Sequence, residues 1–484
     1  MAEEHGIRVR EASTVISNSS AAPTLPVVYG TAPINLTTLS AAPINEPLLI
    51  TSYQDAVNAF GYSDDWDNFT LSEFIYSHFT LYKLGPVVLI NILDPDVHKA
   101  NVAPADVTVT GGVAVVQVEG IIKASVVVKS QDSVTTYVLN TDYTLSYNSV
   151  GQLVVTRKSA GAIPSNATAL KIGYDKLNGN AVTAEDLIGG QDAITGAATG
   201  LELLNQVFPR FGLVPGLLLA PGFSHDPVVA AVMSAKAESI NGHFRCTVLI
   251  DIPVEDIDAY TDSTTWKAES GITYSNQIAC YPNLTKGGKV FHFSTQLAGA
   301  ICTTDAANGD IPFVSPSNKS LQADGAVQKG GLPLFLGPDQ AGFLNAQGIV
   351  TAINFGGSWK AWGNRTGAFP GTSDPKDAFI PGRRMFDWIS NMIVLTYWSE
   401  VDDPLNRKLI ETVTDDLNIR LNGLNSIGAL LGGRVEFLAS ENPLEDLMNG
   451  KFKFHLYATP PSPGQAMDFV IEYDANYLSG IFGS

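Results

Sequence analysis

Hydrophobic and polar positions alternate with a two-residue period at both ends of this 484-residue chain and follow longer periods between them. Ile7-Arg8-Val9-Arg10-Glu11 alternates apolar and charged side chains, which predicts a half-buried strand. A lone strand is not stable, so this one needs a sheet edge in its own chain or in a neighbour. A connector rich in Ser, Ala and Pro follows from Ser19 to Pro26. At the other end, Phe452, Phe454 and Leu456 alternate with Lys451, Lys453 and His455, and Met467, Phe469, Ile471 and Tyr473 alternate with Asp468 and Glu472. Pro460, Pro461 and Pro463 oppose a tight hairpin between those two segments. The last strand is therefore expected to leave its own domain on a stiff spacer.

The first third between the arms reads as α/β. A short strand at Val27–Tyr29 ends at Gly30, and Ser52 caps a helix whose apolar face (Ala56, Val57, Phe60) stops at Gly61. A second helix is predicted over 71–82. The run from Val87 to Leu93 has the continuous apolar character of a strand buried on both faces. From about Val107 to Tyr174, short runs rich in Val, Thr and Tyr (124–128, 135–139, 153–157) predict a small all-β insertion. The α/β pattern resumes with a strand at 217–220, a helix over 226–240 and a strand at 246–250.

Two C-terminal helices are predicted. The first, over 383–398, carries Phe386, Ile389, Met392 and Ile393 on one face. The second starts at Asp403-Pro404 and carries Leu405, Leu409, Val413 and Leu417. No repeat of 20 to 50 residues is visible.

Composition narrows the function. At roughly 150 residues per domain the chain holds two to four packed units. Hydrophobic residues make up 45% and charged residues 16%, with 44 Gly and 27 Pro, so the surface is lean in charge and self-assembly is one way to cover it. The net charge of −19 disfavours nucleic acid as a partner. Cys246, Cys280 and Cys302 form no CxxC pair, which points to a reducing compartment. A polar start and the lack of any 20-residue apolar run give neither a signal peptide nor a membrane partner, and the expected place of synthesis is the cytoplasm.

The search for catalytic chemistry returns near misses. Gly222-Phe223-Ser224-His225-Asp226 sits between a strand and a helix like a nucleophile elbow but lacks the second glycine; Asp226-Pro227 reads more simply as a helix start. An α/β hydrolase using Ser224 is thus the minor alternative. Asp64, Asp65 and Asp67 resemble a calcium loop without its glycine. The seven histidines show no i, i+4 pair, and the Gly-rich spots lack a phosphate-binding spacing. No catalytic residue, cofactor or metal is expected, and the chain is read as a non-enzyme.

In order along the chain stand Gly6-Ile7-Arg8-Val9-Arg10-Glu11, Gly30-Thr31-Ala32-Pro33, Asn45-Glu46-Pro47 with Leu49-Ile50-Thr51-Ser52, Trp362-Gly363-Asn364-Arg365-Thr366, Arg383-Arg384 and Gly428-Ala429-Leu430. In this order the chain resembles the contractile tail sheath proteins of long-tailed bacteriophages and related contractile injection devices. The resemblance covers roughly 5–95 and 345–475.

It implies a subunit that stacks in hexameric rings around an inner tail tube protein, meets baseplate and tail terminator proteins, and contracts without nucleotide hydrolysis to drive the tube through a cell envelope. It would reside in the tail of a virion. A shell or surface-layer protein is the other self-assembling reading. The family's architecture implies a discontinuous α/β (α+β) core from both chain ends: a strand arm over 1–26, core over 27–100, an outward all-β insertion over 101–178, a second α/β insertion over 179–345, core again over 346–460, and a strand arm over 461–484. Inter-subunit strands would use Ile7, Val9, Glu11, Met467, Phe469, Ile471 and Tyr473. Arg383, Arg384, Arg407 and Lys408 are the candidates to face the tube, or else solvated helix faces.

Overall fold

A computed structural model describes residues 24–482, so the strand expected around Ile7, Val9 and Glu11 lies outside the described residues. The central sheet has eight strands: β1 (Leu25–Gly30), β2 (Leu48–Ile50), β3 (Val87–Asn91), β4 (Pro215–Leu219), β5 (Thr247–Asp251), β6 (Gln277–Cys280), β7 (Ile349–Phe355) and β8 (Ser358–Trp362). Their spatial order is β2-β3-β1-β4-β5-β6-β7-β8. All pairs from β3 to β7 are parallel, with an antiparallel strand at each edge. Continuous apolar runs explain this: β1, β3, β5 and β6 are buried along their whole length, as strands covered on both faces must be.

Helices α1 (Tyr53–Phe60), α2 (Pro227–Glu238) and α3 (Phe293–Ala306) pack on this sheet. Ser52 caps α1 by accepting the Asp55 N–H at 3.2 Å, and Gly61 ends it at φ 74°. Asp226 caps α2 with Pro227 at its first position. In α3, Gly299 lies so close to Tyr82 that an added Cβ would sit 2.4 Å from its ring.

Val27 and Val28 of β1 lie beside Leu218 and Leu219 of β4, so the stretch 179–345 adds strands to the sheet that 27–100 begins. Between those parts, residues 99–177 form a six-stranded antiparallel sheet around its own core of Val128, Leu153, Val155 and Ile172. The run 135–139 forms no strand there, although Thr136 bridges to Lys129.

The chain then builds a C-terminal body: α4 (Ile380–Tyr397), α5 (Arg407–Ser426), β9 (Gly432–Glu436), α6 (Leu444–Met448) and β10 (His455–Thr459). Only 349–362 of the C-terminal part joins the large sheet; the rest closes a separate core of Met385, Ile389, Leu409, Val413, Leu417, Leu421, Leu430 and Val435. Helix α5 starts later than Asp403-Pro404 because Asn406 is the residue whose side chain accepts a helix N–H, that of Leu409 at 3.0 Å. The strand expected over 451–456 begins only at His455. Ahead of it, the Asn442 side chain takes both backbone groups of Lys453, at 2.7 and 3.0 Å. The segment 461–474, where a strand was expected over 467–473, has no regular secondary structure and joins none of the sheets of the described residues.

Candidate assembly interface

The expected nucleophile, Ser224, is fully buried. Its hydroxyl lies 3.3 Å from an Asp251 carboxylate oxygen and accepts the Asp251 N–H at 3.1 Å, while Ser294 donates to the same carboxylate at 2.5 Å. Asp251 therefore ties the ends of β4 and β5 to the start of α3, and Ser224 serves as a strut with no route to substrate. Beside it, Glu73 accepts from the His292 backbone at 2.8 Å and lies 2.7 Å from its Nδ1. Burial alone would lower the His292 pKa, but the charge and hydrogen bond of Glu73 raise it to about 9.

Asp64 contacts Lys289, which holds its carboxyl below the usual range, and Asp65 bonds Asn68 at 2.8 Å. Among the described residues no group of three or more His, Cys, Asp or Glu is placed to hold a metal, and no helix is long and apolar enough to cross a membrane. The three cysteines are buried and free, their thiol pKa values pushed up by burial.

Two further polar clusters tie the first described residue and the C-terminal linker to the body. Thr24 is clamped by Asp305 and Arg384: its hydroxyl donates to Asp305 at 2.6 Å, and Arg384 reaches Asp305 at 3.1 and 2.5 Å. Arg384 is 5% and Asp305 1% exposed. Arg383 is equally committed, to Asp377 at 3.0 Å and Asp387 at 2.9 Å. Helix α4 thus begins inside the body: Arg384 is buried and Arg383 half-buried, and carboxylates of the same subunit take both charges. Arg407, 91% exposed and bonded to Glu411 at 2.6 Å, and the exposed Lys408 do sit on the surface, at the start of α5.

Trp362-Gly363-Asn364-Arg365-Thr366 forms the second cluster. The Asn364 carbonyl accepts the Ile380 N–H at 2.9 Å, joining β8 to α4. The Arg365 guanidinium stacks on Phe369 and Phe379, 4.3 and 3.8 Å from the ring centres, and donates to Gln465 at 3.1 Å. Trp362, Asn364, Phe369, Pro461, Pro463 and Met467 line one cleft of about 800 Å³. The start of the C-terminal linker is therefore held on the α/β body, and the part beyond it is not covered: Met467 is 78%, Phe469 83%, Ile471 93% and Tyr473 76% exposed. Adjacent residues this apolar are normally covered.

The small β9–β10 sheet offers a place for such a segment. Asn418 of α5 accepts the Val435 N–H at 3.0 Å and donates to the Val435 carbonyl at 3.3 Å, which closes the outer edge of β9. Val435 faces Leu456 across the pair, and Gly433 faces Ala458. In an antiparallel ladder, residues opposite each other point their backbone groups the same way relative to the pair. Leu456 and Ala458 thus turn theirs outward on β10, and no strand lies beside them among the described residues.

No family model matches the chain. It is 29% identical over 471 residues to the tail sheath protein of Burkholderia phage BcepMu, covering 94% of this chain and 93% of that one. Over nearly its whole length the chain is similar to a contractile tail sheath protein. Its fold is similar to the sheath of an extracellular contractile injection system (PVC) in the contracted state, with a TM-score of 0.58 at 15% identity over 99% of both chains. It is also similar to the contracted helical sheath of the anti-feeding prophage (AFP), with a TM-score of 0.57 at 16% identity over 98% of this chain and 100% of that one. The sequence relatives bear the names of tail sheath proteins, not of enzymes.

Sequence reasoning missed the Thr24–Asp305–Arg384 clamp and the Asn418 edge cap. Neither had a local signal, because the clamp joins residues 281 and 79 positions apart and the cap crosses 17.

Proposed function

We propose that this chain is the sheath subunit of a contractile tail, stacking as hexameric rings around an inner tube between a baseplate and a tail terminator. Contraction drives the tube through a target envelope without nucleotide hydrolysis. The observation that carries this reading is the near full-length relationship to a phage tail sheath protein. The exposed C-terminal segment agrees with it, because a device that must shorten without falling apart needs connections that survive rearrangement.

Strand exchange supplies such connections: backbone hydrogen bonds keep neighbours linked while linkers let the bodies rotate. At about 0.5 to 1.5 kcal/mol net per bond, a five-residue strand contributes only a few kcal/mol. Burial of Phe469, Ile471 and Tyr473 adds roughly 1.5 to 3 kcal/mol each when complete. Residues 1–26 and 461–484 are the arms in this reading, with Ile7, Val9 and Glu11 in one strand and Met467 to Tyr473 in the other. Head-to-tail contacts that do not close generate the helical array. Arg407 and Lys408 are the cations left to meet the tube, and the six-stranded sheet of 99–177 decorates the outside. Assembly takes place in the host cytoplasm, and the product is part of the virion or particle tail.

Contraction is a two-state repacking in which the extended array is trapped and the short array has the better contacts. Electron microscopy of the purified protein tests the function: hollow striated cylinders are expected, and flat lattices or closed shells contradict it.

A further inference from the structure

Beyond the exchange of strands, on which this inference rests, the C-terminal body holds an apolar groove whose occupant the chain itself supplies. The groove has a volume of about 670 Å³ and is lined by Leu405, Ile410, Phe437, Leu444, Leu447 and Met448. Leu444 is 78% and Met448 87% exposed, so in the single subunit the groove lies open. It sits at one end of the β9–β10 pair: Glu436 faces His455, and Phe437 follows directly. Thr459, where the subunit's own tail departs, is at the opposite end, and that tail is led off to the Trp362 cleft and Arg365. The direction of β10 thus sends a subunit's own C-terminus away from its own groove.

We propose that the terminal turn Ala475–Phe482 of a second copy seats in this groove, after that copy's Phe469–Tyr473 has paired antiparallel with β10. Three observations select this occupant. Since helix α5 packs along β9 and its Asn418 takes both outward groups of Val435, β10 is the more open edge, and β10 is five residues long, like the segment Phe469–Tyr473. An antiparallel guest extends the antiparallel pairing of the sheet and carries its C-terminal end past His455 toward Phe437 and Leu444. Charge agrees, because Glu472 and Asp474 of the guest arrive where Lys451 and Lys453 are exposed. Asp474 also accepts the Asn476 N–H at 2.9 Å, which starts the turn that presents Tyr477 (84% exposed) and Leu478 (46%). The groove is then a socket that locks the exchanged strand at its far end.

Disulfide trapping tests this on the full-length chain carrying Met448→Cys and Tyr477→Cys, since the three native cysteines are buried and free. Oxidation of assembled cylinders is expected to give a ladder of covalent multimers, at least about tenfold above either single variant, and dilute subunits are expected to give none. Cylinders without a ladder, a bond formed within dilute monomers, or trapping of Met448→Cys by Ile7→Cys in place of Tyr477→Cys would each overturn the proposal. Should the double variant fail to fold, truncation after Asp474 and Leu444→Asp provide the second measurement. Each should raise the critical concentration for assembly about tenfold, and their combination should do no more than either alone; additive effects contradict a shared contact. Ile471→Pro separates this from its foundation: loss of cylinders is expected, and cylinders like those of the unaltered chain would remove strand exchange itself.

Discussion

Thr24, Asp305 and Arg384 show how a few buried polar atoms anchor the first described residue to the body. The Arg384–Asp305 pair is almost wholly enclosed, and removing one partner strands the other charge. Arg384→Met should therefore destabilise the protein by about 3 to 5 kcal/mol in urea unfolding, while Arg384→Met combined with Asp305→Leu should recover much of that loss. Equal losses in the single and double variants would show that packing, and not charge pairing, holds the site.

A second residue-scale prediction concerns His292. Its pKa, about 9 in the folded state, stands above the ordinary value of 6.5 because of Glu73. The raised value contributes stability that is complete below about pH 6.5 and is lost as the pH climbs through 9. Thermal unfolding temperature should accordingly fall between pH 6.5 and 9.5, and Glu73→Gln should flatten that slope; an unchanged slope contradicts the assignment.

At the scale of elements, the outcome divides by how far apart the cooperating residues lie. Helix α1 was legible because its signals, the Ser52 cap, the apolar face and the Gly61 stop, are within one another's reach. Buried strands β3 and β5 were legible from unbroken apolar runs. The start of α5 was misplaced by the Asp403-Pro404 signal, since Asn406, three residues before Leu409, does the capping. The late start of β10 was not legible either, because the Asn442 side chain reaches it across 11 residues.

Helix α5 supplies its own test. Leu421 is fully buried in the C-terminal core and Ile419, two residues earlier, is 69% exposed. Leu421→Ala should cost about 2 to 5 kcal/mol in stability. Ile419→Ala should cost less than about 0.5 kcal/mol in the dissociated subunit. Comparable losses at both positions would contradict the assigned face.

For the whole molecule, periodicity revealed α/β segments, a β insertion and a C-terminal helical pair, but not which segments share a sheet. Pairing of β1 with β4 joins residues almost two hundred positions apart, and such partners leave no local trace in a single sequence. The alternation that marks Phe469, Ile471 and Tyr473 in the sequence falls on a segment that the subunit leaves exposed and outside the sheets of the described residues. The proline spacer precedes that segment, whereas the burial of Arg384 depends on Asp305, which folding brings in from 79 positions away. Since both arms are proposed to act between copies, deletion of residues 1–17 should leave soluble, folded monomers that no longer polymerise. Intact cylinders from that variant, seen by microscopy and sedimentation, would remove the N-terminal arm from the account.

The central claim is that a neighbour's backbone completes the β9–β10 sheet. Cryo-electron microscopy of assembled cylinders at side-chain resolution measures this directly. The account predicts continuous density for Phe469–Tyr473 of a second copy hydrogen-bonded to Leu456 and Ala458; a bare β10 edge, or one covered by the subunit's own tail, would contradict it.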